Sequence, residues 1–306
     1  MSATAWDAVL ARRAAGSRDD GFRVALVIEG GGNRAAYSAG MALAIEQEGL
    51  LPSFDAIYGT SGGALNGAWL LTGDAQRALP LWASPEYAEQ RVADPRRLLR
   101  GGPVVDLAHL LHHVYVNVFP MNFEAVLRSP IELHPMATDA RTGAAADLAP
   151  AVHDTLSLQT ALRASASLPL LAGRPVQIGH DSYVDGGVAE PVPVRTALAQ
   201  GATHVLVLRT RRAGHQVERA RPVERVPMSV WFRRHAPGAR RPYLRRHLAH
   251  LEDESFFAQS TSVVQVRPPS GSADVSRLTS DLELVGRAIE SGREALLTEL
   301  AAHCAL

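Results

Sequence analysis

Twice within its first seventy residues the chain runs a short apolar segment into a glycine-rich turn and then straight into residues at helical spacing. Residues 23–29 (RVALVIE) are apolar and β-branched and stop at Gly30-Gly31-Gly32; residues 35–48 then carry apolar side chains three to four apart and stop at Gly49. Residues 54–58 form a second apolar segment, followed by Gly59-Thr60-Ser61-Gly62-Gly63 and a helix over Gly62–Leu71. Parallel strands need a crossover, and a crossover helix covers a sheet face. Strand–helix–strand–helix with links this short therefore predicts an α/β fold around a mainly parallel sheet.

The later chain continues the pattern less regularly. Residues 74–128 read as mostly helical, broken at Pro80, Pro85, Pro95 and Pro103. Strands are expected over 131–138 and 204–208, a small hairpin over 175–178 and 182–184, and helices over 158–167 and 194–200. Residues 209–250 depart from the rest: twelve arginines face two glutamates, with four prolines, which reads as a surface insertion or a partly mobile segment. A strand at 262–266 and a long amphipathic helix at 282–302 close the chain.

Composition removes several chemistries. The one cysteine, Cys304, excludes an intrachain disulfide framework and a cysteine-rich zinc site. The 31 acidic residues are balanced by 31 basic ones, every one an arginine, so Ser–Lys dyads, Schiff bases and a Walker lysine are excluded. No run approaches the ~20 apolar residues of a membrane span. Residues 1–20 hold no apolar signal region, and the expected location is cytoplasmic.

The sharpest chemical signal is Ser61. Gly59-Thr60-Ser61-Gly62-Gly63 fits G-x-S-x-G between an apolar strand and a helix, the context that holds a nucleophilic serine exposed on a strained turn. The helix start also places backbone N–H groups and positive potential beside a developing oxyanion. Gly30-Gly31-Gly32-Asn33-Arg34-Ala35 has two readings. A dinucleotide fingerprint needs a carboxylate at the end of the second strand, where Tyr58-Gly59-Thr60-Ser61 supplies none. An oxyanion hole needs only N–H groups near Ser61, at the carboxyl edge of the same sheet, and the geometry favours it. Among twelve histidines none has a distinctive flanking pattern. Asp185-Gly186-Gly187 reads either as a functional loop carboxylate or as an ordinary Asp-Gly turn.

EGGGNRAAYSAG (29–40), GTSGG (59–63), ASASLP (164–169) and YVDGG (183–187), in this order and spacing, resemble the patatin-like phospholipase family over residues 22–210. The resemblance implies a three-layer α/β/α sandwich and a Ser–Asp dyad, with Ser61 as nucleophile and Asp185 as base. It assigns the oxyanion hole to Gly30, Gly31 and Gly32 with Arg34, and motif support to Gly59, Gly63, Gly186 and Gly187. The implied activity is hydrolysis of fatty acyl esters of phospholipids or lysophospholipids, without metal or organic cofactor. On this reading 1–21 is a lead-in, 22–210 the catalytic domain, and 211–306 a C-terminal region packed on it. Glu29 stands where the family usually has Asp, Ala35 where it usually has Gly, and Val188-Ala189-Glu190-Pro191 lacks the family's usual Asn.

Competing readings name their own residues. A Ser–His–Asp carboxylesterase of α/β-hydrolase type has His204 as its best histidine, and a nucleotide-binding module uses the Gly30–Gly32 loop. His109, His112 and His113 share a predicted helix but lack the acidic residue of H-E-x-x-H, so no metal site is expected. The arginines of 209–250, with Trp231 and Phe232 between them, predict peripheral contact with an anionic inner-membrane surface. No nucleic-acid module surrounds them, and no such partner is expected.

Overall fold

The computed structural model of the chain describes residues 3–212, 214–215 and 222–304. Of the arginine-rich segment, Glu218, Arg219 and Arg221 lie outside the described residues. The chain runs α1 (Ala5–Ala15), β1 (Val24–Ile28), α2 (Ala35–Gln47), β2 (Ala56–Thr60) and α3 (Gly62–Leu71). Short turns of helix follow, α4 (Ala75–Ala78), α5 (Pro85–Glu89) and α6 (Leu107–His109), the last continuing as a π-helix over Leu110–Val118, and then α7 (Phe123–Arg128). Next come β3 (Glu132–Asp139), β4 (Ala145–Asp147), α8 (Thr155–Ser165), β5 (Val176–Ile178), β6 (Asp181–Asp185), α9 (Val194–Ala199) and β7 (His204–Leu208). The chain ends with α10 (Pro222–His235), α11 (Arg240–Gln259), β8 (Val263–Val266) and α12 (Leu282–Cys304).

The strands form one sheet in the order β5-β6-β3-β2-β1-β7-β8, with β4 also paired to β3. The pairs from β3 through β8 on this path are parallel; β6 pairs antiparallel to β3, and β5 to β6. Every residue of β1, β2 and β7 is buried, as expected of parallel strands covered on both faces. Alternation along β1 and β2 separates the two covers. Leu26, Ile28 and Ile57 pack with α1, α2, α3 and α12, while Ala25, Val27, Ala56 and Tyr58 pack with α9 and α11 through Val194, Ala197 and Phe257. The architecture is a three-layer α/β/α sandwich.

α12 lies directly on α2. A Cβ on Gly40 would sit 1.8 Å from the Ile289 carbonyl oxygen, and one on Gly292 would sit 2.0 Å from that of Tyr37. The two helices therefore touch backbone to backbone at this crossing, which no larger residue permits.

Several expectations are corrected. The second strand lies two residues later than 54–58, because Pro52 and the helical turn Leu51–Ser53 occupy its approach. The described part of 209–250 is not a surface insertion: Arg209 is buried and α10 buries Phe232 against Val184 of β6, and Phe232 is 0% exposed, so it is not available to enter a membrane. The lead-in, 1–21, contains α1, whose Thr4–Asp7 capping box and buried Trp6 and Val9 anchor it to the core.

Candidate active site

β2 ends at Thr60 and α3 begins at Gly62, so Ser61 occupies a one-residue elbow at the carboxyl edge of the sheet. Its backbone has φ 57° and ψ −127°, in the left-handed half of the map that non-glycine residues rarely visit. The Ser61 N–H donates to Ser165 Oγ at 3.0 Å, and that hydroxyl donates to the Met136 carbonyl at 2.6 Å. Ser165, at the end of α8, thus ties the elbow to β3. Gly59 lets β2 meet α3, where a Cβ would lie 2.5 Å from Ala64 Cα, and Gly63 lets α3 meet β1, where a Cβ would lie 2.3 Å from the Ile28 carbonyl oxygen.

Asp185 ends β6, beside β3, and is 4% exposed. Its N–H donates to the Ser167 carbonyl at 2.9 Å, and its own carbonyl accepts the Thr138 hydroxyl at 2.9 Å. The carboxylate is half-satisfied: Oδ1 accepts the Gly187 N–H at 2.8 Å, and buried Oδ2 accepts no well-formed hydrogen bond. Burial pushes this carboxyl above its ordinary range, opposed by the neighbouring Ser61 hydroxyl, the Gly187 N–H and the Arg277 charge. Gly186 packs where a Cβ would lie 2.3 Å from the Met136 carbonyl, holding the turn against β3.

The glycine loop faces the same space. The N–H groups of Gly30, Gly31 and Gly32 donate to no backbone oxygen among the described residues, and those of Gly62 and Gly63 are the free donors of a helix start. Gly32 has φ 57°, and a Cβ there would sit 2.5 Å from the Arg277 carbonyl, which accepts the Asn33 N–H at 3.0 Å. Ala35 has φ −61°, so the missing glycine leaves no strain. Glu29 has a role that the sequence reading missed. It is fully buried, bonds to Arg209 Nε at 2.9 Å and the Thr210 N–H at 2.8 Å, and pairs with Arg211. Burial alone pushes its carboxyl up, but the two guanidinium charges prevail and hold it well below the usual carboxylate range. Two arginines of the arginine-rich segment are therefore buried partners of the loop. No local sequence signal separates them from the surface arginines. Glu190, where the family's usual Asn is missing, caps α9 by accepting the Thr196 N–H at 3.0 Å.

A cavity of about 470 Å³ brings Ser61, Asp185, Gly30, Gly31, Gly32, Arg34 and Gly187 together. Gly59, Gly63 and Gly186 stand behind it as packing. His204 is elsewhere. It pairs with Val24 at the opposite edge of the sheet, six residues along the strands from Ser61, or about 20 Å at ~3.3 Å per residue. Its ring meets Thr203 and the Ala3 carbonyl, so it cannot serve Ser61. The histidine that does line the cavity is His250 of α11, 3.8 Å from Glu254. His109 and His113 stack on each other at 5.0 Å, and His112 bonds to Gln159. Among the described residues no three His, Cys, Asp or Glu side chains are placed to share a metal ion.

Residues 26–198 match the family described as patatin-like phospholipase. A protein of Escherichia coli (strain K12) described as uncharacterized protein YjjU is 29% identical over 194 residues, covering 61% of this chain and 52% of that protein. The chain thus spans about half the length of the curated relative it matches. Two solved structures are similar. VipD from Legionella pneumophila has a TM-score of 0.46 and 12% identity, covering 92% of this chain and 67% of that one. Human GIVD cytosolic phospholipase A2, in complex with the inhibitor methyl gamma-linolenyl fluorophosphonate and terbium chloride, has a TM-score of 0.41 and 14% identity, covering 97% and 63%.

Proposed function

The chain belongs to the patatin-like phospholipase family, and on that premise we propose that it is a serine lipid acyl hydrolase. It cleaves a fatty acyl ester of a phospholipid or lysophospholipid through a Ser61 acyl-enzyme, with Asp185 as the base. One observation carries this reading: a serine on a strained elbow lies beside a buried carboxylate oxygen that lacks a hydrogen bond, in a cavity lined by free glycine N–H groups.

The chemistry follows from that geometry. Ser61 Oγ attacks the ester carbonyl as its proton passes to Asp185. The N–H groups of Gly31 and Gly32, with Gly30, stabilise the oxyanion, and Arg34 adds positive potential behind them. A donor of this kind is worth about 10²–10³ in kcat. The tetrahedral intermediate collapses, and the leaving alcohol takes the proton back from Asp185. Water, deprotonated by the same carboxylate, then attacks the acyl-enzyme, and Asp185 returns the proton to Ser61 Oγ as the fatty acid leaves. A buried, incompletely solvated aspartate is a stronger base than one in water, so no histidine is needed to relay the proton.

A fluorophosphonate probe and intact-mass measurement test the assignment. The expected result is one adduct per chain, mapped to Ser61 and absent in Ser61→Ala, with Asp185→Asn losing about three orders of magnitude in kcat. A second reading places His250 as base, because that ring lines the cavity. It gains the case if His250→Ala loses as much activity as Asp185→Asn does.

We also propose that the enzyme meets its lipid at an anionic surface through α10. Val223, Val226 and Val230 are exposed along one side of this helix, Arg233 and Arg234 are exposed near its end, and Pro227 and Met228 line the cavity.

A further inference from the structure

The cavity wall carries more positive charge than hydrolysis of an uncharged ester requires. Four guanidinium groups face it: Arg34 from the glycine loop, Arg211 after β7, Arg246 on α11 and Arg277 before α12. Arg211 pairs with Glu29, a carboxylate that it shares with Arg209. Arg34, Arg246 and Arg277 have no carboxylate partner among the described residues; Arg246 lies over the Tyr243 ring at 4.3 Å. The buried Nε atoms of Arg34 and Arg211 have no acceptor among the described residues. Of the two carboxylates in the wall, Asp253 is held by Arg195 at 3.0 Å, and Asp185 is the base of the proposed reaction. Burial, then the charges of Arg211 and Arg277, bring the Arg34 pKa down to about 9, so it stays protonated at neutral pH while crowded by like charge. A buried donor without an acceptor is unfavourable, and an anion between these groups relieves both the missing bonds and the repulsion.

Resting on the acyl-hydrolase reading, we propose that Arg34, Arg211, Arg246 and Arg277 form a phosphate subsite beside the scissile ester. The preferred substrate is then an acyl ester whose headgroup carries an anionic phosphate without a balancing ammonium group. Apart from Asp185, the base, the wall offers a choline-like cation no free carboxylate among the described residues, and the Tyr243 face is already taken by Arg246. Three of the four arginines lie beyond residue 198, where the family match ends, so the selectivity belongs to this chain's C-terminal part and not to the shared motifs. That part is fastened to the site, because the Arg277 and Thr279 carbonyls accept hydrogen bonds from Asn33 of the glycine loop.

Three esters of one acyl chain, used as monomers, test the inference: lysophosphatidic acid, lysophosphatidylcholine and monoacylglycerol. The expected kcat/KM for the first exceeds both others by about tenfold or more. Arg246→Gln and Arg277→Gln should each pull that ratio toward one, and Arg277→Lys should restore part of it, which loss of packing alone would not produce. Glycerol 3-phosphate should slow fluorophosphonate labelling of the wild-type enzyme, less so in Arg277→Gln and at high salt. Equal kcat/KM for the three esters, or a preference that survives both glutamine substitutions, overturns the subsite. If inorganic phosphate slows labelling as well as glycerol 3-phosphate does, and the lipids are not discriminated, the site is one for the free ion and the headgroup assignment fails. Failure to hydrolyse any of the three, with no labelling, overturns the acyl-hydrolase reading itself.

Discussion

At Ser61 the backbone conformation costs of the order of 1–3 kcal/mol for a side chain other than glycine, and it persists because its surroundings over-determine it. Ser165 holds its N–H, and α3 takes its carbonyl through the Ala64 N–H at 2.9 Å. Asp185 stores strain of another kind, a charge that burial disfavours. Its folded-state pKa lies above the ordinary ~3.9, so the folded protein binds this proton more tightly than the unfolded chain does. The contribution to stability is therefore greatest below pH ~3.9 and is lost as pH rises through the folded value. Two outcomes follow. The acid limb of kcat/KM should have its midpoint above ~3.9, read from a pH–rate profile. Asp185→Asn, which keeps an acceptor for the Gly187 N–H, should raise the melting temperature at pH 7 while lowering kcat about a thousandfold; a lowered melting temperature would contradict the assigned direction.

At the scale of elements, the site depends on how closely helices pack behind it. α2 starts from the glycine loop and α3 from the elbow, and Asn66 joins them by donating to the Ala35 carbonyl at 2.9 Å and to Ser38 Oγ at 3.1 Å. α12 then presses on α2 through the Gly40 and Gly292 crossing. Gly292→Ala places a methyl group 2.0 Å from the Tyr37 carbonyl, so the helices must part. The expected loss is about 1–3 kcal/mol, typical of overpacking, measured as a lower midpoint of denaturant unfolding. Helix 282–302 is legible in the sequence from its 3.6-residue period, and Gly286 and Gly292 stand on it. That one of these glycines meets the backbone of a helix some 250 residues earlier is not legible, because contact distance is not a property of local pattern.

For the whole molecule, the arginine-rich stretch divides into two populations. Arg209 and Arg211 are interior, tied to Glu29 and Glu254, while Arg233, Arg234, Arg241 and Arg245 are exposed. Among the described residues no helix is long and apolar enough to cross a membrane. Each exposed basic residue near an anionic surface contributes about 1 kcal/mol, so a few suffice for measurable attachment. Co-sedimentation with anionic vesicles should therefore exceed that with neutral ones and fall at 1 M salt, where screening acts over ~3 Å. Replacing Val223, Val226 and Val230 by serine should weaken it. Phe232→Ala should instead destabilise the fold by about 3–5 kcal/mol, because that ring is buried. Equal sedimentation with both vesicle types would remove the surface contact.

The sequence alone determined the parallel α/β opening and the candidate residues of the site. Strand length, helix period and glycine-rich turns are local properties, and four ordered motifs named Ser61, Asp185 and the Gly30–Gly32 loop by number. Only the tertiary structure decided which distant groups share a space. It removed His204 to the far edge of the sheet and brought His250 to the cavity. It turned Glu29 into the buried partner of Arg209 and Arg211, and gathered Arg246 and Arg277 around Ser61 from beyond the family match. The physical reason is that an arginine's role is set by what surrounds its charge. Burial and countercharge depend on contacts between residues hundreds of positions apart, and a residue type or its spacing does not record them.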